Sequence, residues 1–249
     1  MHRMNVTIIG KNSSVYFVLK PLLFETYALT EFGSKQALSR LSLVEQHRGR
    51  SFIIFSGVVS QSLEVLEKLE TFHCCLADKL SSVRDPNIIL ISSSAVYGNY
   101  KSNFSELDDC CPISNYGYSK RKIEQLYSER FESNLSILRL GNVLGLDAMA
   151  KTFSESNERD RYLDCRCDYS TPKRTYVDAQ ILSKIIRHYV SNPGYSQKIL
   201  NVGRIKHQSM HEAAKELGLN CNLRISDNVT EDLTLNTSEL FQIFDSEEA

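Results

Sequence analysis

Asn87-Ile88-Ile89-Leu90-Ile91-Ser92-Ser93-Ser94-Ala95-Val96-Tyr97-Gly98 is the stretch that decides the fold. Its apolar run has no polar alternation, which reads as a strand buried on both faces, the kind found in parallel sheets covered by helices. The run stops at serines, so hydroxyls stand at its carboxyl end, where open parallel sheets take their ligands. Working outward, similar short runs occupy residues 6–9 (ending at Gly10), 27–30, Ser51–Phe55, Leu135–Leu140 and Ile199–Val202. Helical patterns separate them at residues 15–24, 34–46, 61–80, 118–133, 178–190 and 207–217, the fourth apolar strand being preceded by Leu63, Val65, Leu66 and Leu69 at helical intervals. Strand and helix alternation predicts an α/β, doubly wound parallel sheet. The pattern loosens from Asp147 onward, which sets the expected division at residues 1–146 and 147–249, the second part a smaller lobe interleaved with the last strands.

The 249 residues suffice for a full-sized core, and 29 basic residues against 30 acidic ones suggest neither a nucleic-acid stripe nor a polybasic membrane face. Seven cysteines without a C-x-x-C pair fit neither a disulfide framework nor a zinc knuckle, so reduced thiols and no metal are expected. The start of the chain reads as neither a signal peptide nor a bilayer span, which makes the cytoplasm the expected compartment.

Asn115-Tyr116-Gly117-Tyr118-Ser119-Lys120 follows the serine-rich strand end and opens the next helix. Tyr and Lys four apart share a helix face. The chain holds five such pairs, however: 16/20, 97/101, 116/120, 118/122 and 169/173. Spacing alone selects none of them. Position does better, because the 116/120 and 118/122 pairs start the helix beside the strand end, the 16/20 pair sits among apolar residues of the first helix, and Pro172 interrupts the 169/173 pair.

Ser92-Ser93-Ser94-Ala95-Val96-Tyr97-Gly98, followed by Pro112-x-x-x-Tyr116-Gly117-x-Ser119-Lys120-x-x-x-Glu124, resembles the active-site signature of extended short-chain dehydrogenase/reductases, the NAD(P)-dependent epimerase/dehydratase family that acts on nucleotide sugars. The resemblance implies a Rossmann-like cofactor-binding and catalytic region over 1–146 and a substrate-binding lobe over 147–249. It also implies a catalytic Ser93, Tyr116 and Lys120, with Ser92 and Ser94 as neighbours in competing positions. A free phenol is a sluggish acid or base at pH 7; a nearby ammonium favours its ionised form, and a serine hydroxyl stabilises charge on the reacting oxygen. Leu138-Arg139-Leu140-Gly141-Asn142 and Arg174-Thr175-Tyr176-Val177-Asp178 resemble two later segments of the family, which implies contacts from Asn142 and Arg174 to the sugar-nucleotide phosphates. Residues 235–240 resemble its closing segment.

The family's glycine turn aligns with Gly10, Ser13 and Tyr16, two of its three glycines being replaced. The implied cofactor is NAD or NADP, held by Gly10, Ser13, Glu31, Lys35, Gly57, Tyr116 and Lys120: Glu31 would favour a ribose 2′-hydroxyl, whereas Ser34 and Lys35 could hold a 2′-phosphate. The short span between the second strand and Ser51–Phe55 implies that one strand–helix unit is abbreviated or missing. The expected function is reduction of a keto group on a nucleotide-activated sugar, since a reductase exchanges its cofactor each turnover and tolerates the altered turn better than an epimerase does. Ser94-Ala95 supplies no carboxylate for dehydration. An epimerase, a small-carbonyl reductase and a non-catalytic binding or regulatory descendant are the alternatives. A homodimer through helices 61–80 and 116–132 is implied by the same resemblance.

Overall fold

The computed structural model describes residues 3–41, 50–56, 62–194 and 199–245. A parallel sheet forms the centre, built from β1 (Asn5–Ile9), β2 (Ala28–Phe32), β3 (Ser51–Phe55), β4 (Asn87–Ser93) and β5 (Leu135–Leu140). Further along come β6 (Asn142–Val143), β7 (Tyr162–Cys165), β8 (Lys173–Arg174), β9 (Tyr176–Val177), β10 (Ile199–Val202), β11 (Gln208–Ser209) and β12 (Asn222–Ile225). Among the described residues six strands make the sheet, in the order β10-β5-β4-β3-β1-β2. β2 is its edge, so the strand–helix unit that the short second connection leads one to expect missing is absent from the described sheet.

The helices are α1 (Ser14–Phe24), α2 (Ser34–Arg40), α3 (Leu63–Ser81), α4 (Asn115–Arg130), α5 (Ala148–Glu155), α6 (Ala179–Ser191), α7 (Met210–Glu216) and α8 (Ser238–Asp245). Strand side chains alternate between two cores, as a pleated sheet covered on both faces requires. Ile8, Ile53, Ile89 and Leu138 pack with Tyr16, Leu19 and Leu23 of α1 and with Leu182, Ile185 and Ile186 of α6. Ile9, Phe52, Ile54, Ile88, Leu90 and Ile137 pack on the other face with Ala37 of α2, Leu76 and Leu80 of α3, and Ile123 and Tyr127 of α4. The doubly wound α/β architecture expected from the strand pattern is therefore the one observed.

Later residues build a smaller third core from Met149, Phe153, Leu163, Tyr176, Ala213 and Ala214. Short pairs frame it: β12 with β7, β11 with β8, and β6 with β9. β10 returns to the main sheet beside β5. No described helix is long and apolar enough to cross a membrane, and no group of three metal-ligating side chains occurs among the described residues. All seven cysteines are free thiols.

Candidate active site

β4 ends at Ser93, whose Oγ accepts from the Ala95 N–H at 3.2 Å and so caps the 3-10 turn Ser94–Val96. α4 starts beside that turn, with Ser114 Oγ accepting from the Gly117 N–H at 3.1 Å. Gly117 is required by the approach: a Cβ there would lie 2.4 Å from the Ala95 carbonyl oxygen. This closeness sets the Ser93 side chain beside the Tyr116 hydroxyl, where its influence lowers the phenol pKa against the effect of burial. Of the five Tyr/Lys pairs, 116/120 is the one that meets Ser93. Tyr118 is exposed and Lys122 pairs with Glu70 on α3 at 3.2 Å, Tyr97 donates to Asn201 Oδ1 at 2.8 Å, and Tyr169 is exposed.

Lys120 is buried, and its Nζ lies 5.5 Å from the centroid of the Tyr116 ring. It donates to Ser56 Oγ at 2.7 Å and to the Ser56 backbone oxygen. Ser56 in turn donates to the Ile91 carbonyl at 2.8 Å, joining the ends of β3 and β4 under the amine. Burial lowers the Lys120 pKa to about 7, with the charge of Glu124 acting in the opposite sense. Burial raises the Tyr116 pKa above the ordinary phenol value, with the Ser93 hydrogen bond acting against it. Ser56 was not singled out from sequence; the available signal was a hydroxyl at the carboxyl end of the strand next to β4.

Glu124 fixes α4 from below. It is fully buried and accepts from Ser92 Oγ at 2.6 Å and from Arg139 through Nε at 3.1 Å and Nη2 at 2.8 Å, with Arg121 Nη1 at 3.1 Å. The fork of Arg139 matches a carboxylate geometrically, which is why the pair survives burial. The Arg139 guanidinium also stands 4.7 Å from the Tyr97 ring centroid. Ser92 is thus committed to the scaffold, and Ser94 is buried in the turn.

The glycine turn lies at the ends of β1 and β2. Gly10 adopts φ +92°, and a Cβ there would come 2.6 Å from the Phe55 carbonyl oxygen, so this position keeps the tight turn that a glycine allows. Ser13 precedes α1 and makes no side-chain cap bond, which leaves the first-turn N–H groups of the helix facing the turn. Gly10, Asn12, Ser13, Gly33, Ser34, Phe55, Leu69, Phe72 and His73 line a cleft of 120 Å³, too small for a whole dinucleotide, which would have to extend beyond it. Nε2 of His73, a buried side chain in this wall, has no partner among the described residues. These features fit the phosphate end of a dinucleotide.

Tyr16, where the family has its third glycine, is buried with its ring 5.4 Å from that of Phe55. Its hydroxyl donates to Glu31 Oε1 at 2.7 Å, while Lys20 Nζ holds Glu31 Oε2 at 3.0 Å. The Tyr-x-x-x-Lys pair of α1 therefore grips the acid of β2. Although burial works the other way, these bonds hold the Glu31 carboxyl below its ordinary pKa. Lys35 is exposed beyond the end of β2. Gly57 lies outside the described residues.

Asn142 begins β6 and donates from Nδ2 to Asp147 Oδ2 at 3.2 Å. Arg174 on β8 donates to the Lys173 and Glu231 carbonyls at 2.8 Å and to Thr230 Oγ1 at 2.9 Å. No carboxylate among the described residues lies within ion-pair distance of it, so its charge is held by neutral oxygens.

A doubly wound parallel sheet with a Ser, Tyr and Lys gathered at one strand's carboxyl end and a glycine turn at another defines an α/β protein of the dinucleotide-binding class. The chain belongs to the NAD dependent epimerase/dehydratase family, whose profile matches residues 65–203. Relatives of that family hold NAD or NADP in their solved structures. The UDP-N-acetylglucosamine 4-epimerase from Bacillus cereus superposes with a TM-score of 0.77 at 13% identity, over 97% of this chain and 93% of that one. The dTDP-4-dehydrorhamnose reductase from Bacillus anthracis str. Ames, in complex with NADP, gives 0.74 at 14% identity, over 98% and 92%. The NAD dependent NDP-hexosamine 5,6-dehydratase TunA, involved in tunicamycin biosynthesis, gives 0.75 at 14%, over 96% and 90%. At these identities the likeness is one of fold. No curated protein matches the chain in sequence.

Proposed function

We propose that the protein is an NAD(P)-dependent oxidoreductase that reduces a keto group of a nucleotide-activated sugar. The observation that carries this reading is the gathering of Ser93, Tyr116 and Lys120 at the carboxyl end of β4, with the Lys120 amine 5.5 Å from the centroid of the Tyr116 ring. When bound, the nicotinamide supplies the hydride. Gly10, Ser13 and the first turn of α1 would hold its phosphates, and Tyr116 and Lys120 would stand at its reactive end. Tyr116 gives its phenolic proton to the carbonyl oxygen as negative charge develops there, and Ser93 donates a hydrogen bond to the same oxygen. Lys120, in its protonated form, stabilises the tyrosinate left behind, which then recovers a proton from solvent.

Tyr116 carries its phenolic proton at neutral pH, as the acid of a reduction must. Arg174 supports a nucleotide diphosphate, since no carboxylate among the described residues lies within ion-pair distance of its guanidinium and Asn142, on β6, pairs with Tyr176, two residues further along the chain than Arg174. Oxidation of NADH or NADPH in the presence of a nucleotide 4-keto sugar tests the reading, with Arg174→Met expected to raise KM about 10- to 100-fold and to leave kcat within a few-fold. No turnover with any such sugar, together with no cofactor binding at millimolar concentration, would overturn it. Tyr16 in the third position of the turn favours a second reading, a non-catalytic binding protein on the same scaffold, and the same titration separates the two.

A further inference from the structure

The second strand offers the protein two ways to read the adenosine ribose of a dinucleotide, and its geometry closes one of them. Glu31 stands opposite Ile8 in the register of β1 and β2, and Ile8 belongs to the core under α1. Partners in a parallel pair point to the same face, so the carboxylate projects under α1 rather than past the end of the strand. There both of its oxygens are engaged, one by Tyr16 and the other by Lys20. A carboxylate that accepts a ribose diol has to reach beyond the strand's carboxyl end.

What does stand at that end carries no acid. Phe32 turns into the opposite core, and Gly33 has no side chain. A Cβ at Gly33 would lie 3.9 Å from Lys11 Cε and 4.0 Å from Asn12 Nδ2, so the lysine and amide of the glycine turn flank it. Ser34 and Lys35 follow, both exposed. Two ammonium groups, with no carboxylate among residues 10–13 or 32–37, suit a phosphate dianion better than a neutral diol.

We infer that the protein selects the 2′-phosphorylated dinucleotide, NADP(H), through Lys11 and Lys35, because Tyr16 and Lys20 withdraw Glu31 from the ribose. This rests on the cofactor-dependent reading above. The Tyr-x-x-x-Lys pair of α1 thereby acts as a specificity device, and the acid most easily taken for an NAD marker is a structural one.

The test is a pair of binding titrations on the full chain, NADPH against NADH by fluorescence, and 2′,5′-ADP against 5′-AMP by calorimetry, neither of which needs turnover. NADPH is expected to bind at least about tenfold more tightly than NADH, and 2′,5′-ADP more tightly than 5′-AMP by a similar factor. Lys11→Glu and Lys35→Glu, both at exposed positions, should each reduce that preference, and the double variant should abolish it. NADH binding as tightly as NADPH, or a preference untouched by both substitutions, overturns the inference. Binding of neither dinucleotide overturns it together with the cofactor-dependent reading. NADPH preference without reduction of any keto sugar supports the inference and overturns the proposed reaction alone.

Discussion

Lys120 Nζ and Ser56 Oγ stand 2.7 Å apart, with the Ser56 backbone oxygen as a second acceptor on the same amine. The lysine beneath the tyrosine is thus anchored to the neighbouring strand end before any ligand arrives. Ser56→Ala removes one acceptor and keeps the carbonyl. An ammonium that loses an acceptor is less stable, so the Lys120 pKa, already lowered to about 7 by burial, falls further. The expected result is a shift of the alkaline limb of the kcat/KM profile toward lower pH by about one unit. An unchanged or alkaline-shifted limb would remove Ser56 from the site.

Tyr116→Phe takes away the proton while leaving the ring above Lys120. Turnover should fall by about 10²–10⁴-fold, the usual contribution of a positioned general acid. Cofactor affinity measured by fluorescence titration should stay within a few-fold. Residual activity near that of the native chain would transfer the role to another group.

Much of this was legible from two segments. An unbroken apolar run ending in serines announces a doubly covered parallel strand and its ligand end, and Pro112 to Glu124 supplies the helix that must start beside it. Gly117 stands there only as a letter of that motif; the Ala95 carbonyl that requires it is visible in the fold alone. The grip of Tyr16 and Lys20 on Glu31 could not be read, because it depends on which face of β2 the acid takes relative to α1. That face is set by strand register. Ser56 was hidden similarly: its partner lies 64 residues away.

Glu124→Gln breaks the fully buried pair with Arg139 and leaves that guanidinium uncompensated. A loss of about 3–5 kcal/mol in urea unfolding is expected. Adding Arg139→Met removes the stranded charge, so the double variant should regain at least half of the lost stability. A double variant weaker than Glu124→Gln would show that the Arg139 stack on Tyr97 matters more than the ion pair.

His73 is buried, with Nδ1 3.2 Å from the Tyr127 hydroxyl. Burial, reinforced by the charge of Lys120, lowers its pKa to about 3 from an unfolded value of 6.5. Above pH 6.5 the imidazole is neutral in both states and adds no pH dependence. Between pH 6.5 and about 3 the unfolded chain takes up a proton that the folded chain refuses, so stability falls as pH falls, by about 1.4 kcal/mol per unit at most. His73→Phe should lower stability by a constant amount for the lost bond and flatten the slope in that window by roughly one proton. Parallel curves for the native chain and the variant would show that His73 is protonated in the fold.

The clamp on Glu31 also bears on how the molecules behave toward one another. β2 is the last strand of the described sheet, and a flat, uncharged edge offers its free backbone groups to any second chain that arrives in extended form. An ionised carboxylate tied to a lysine on that strand makes such stacking electrostatically and sterically costly. The charge fixed on the outermost described strand thereby weighs against edge-to-edge pairing of one copy with another.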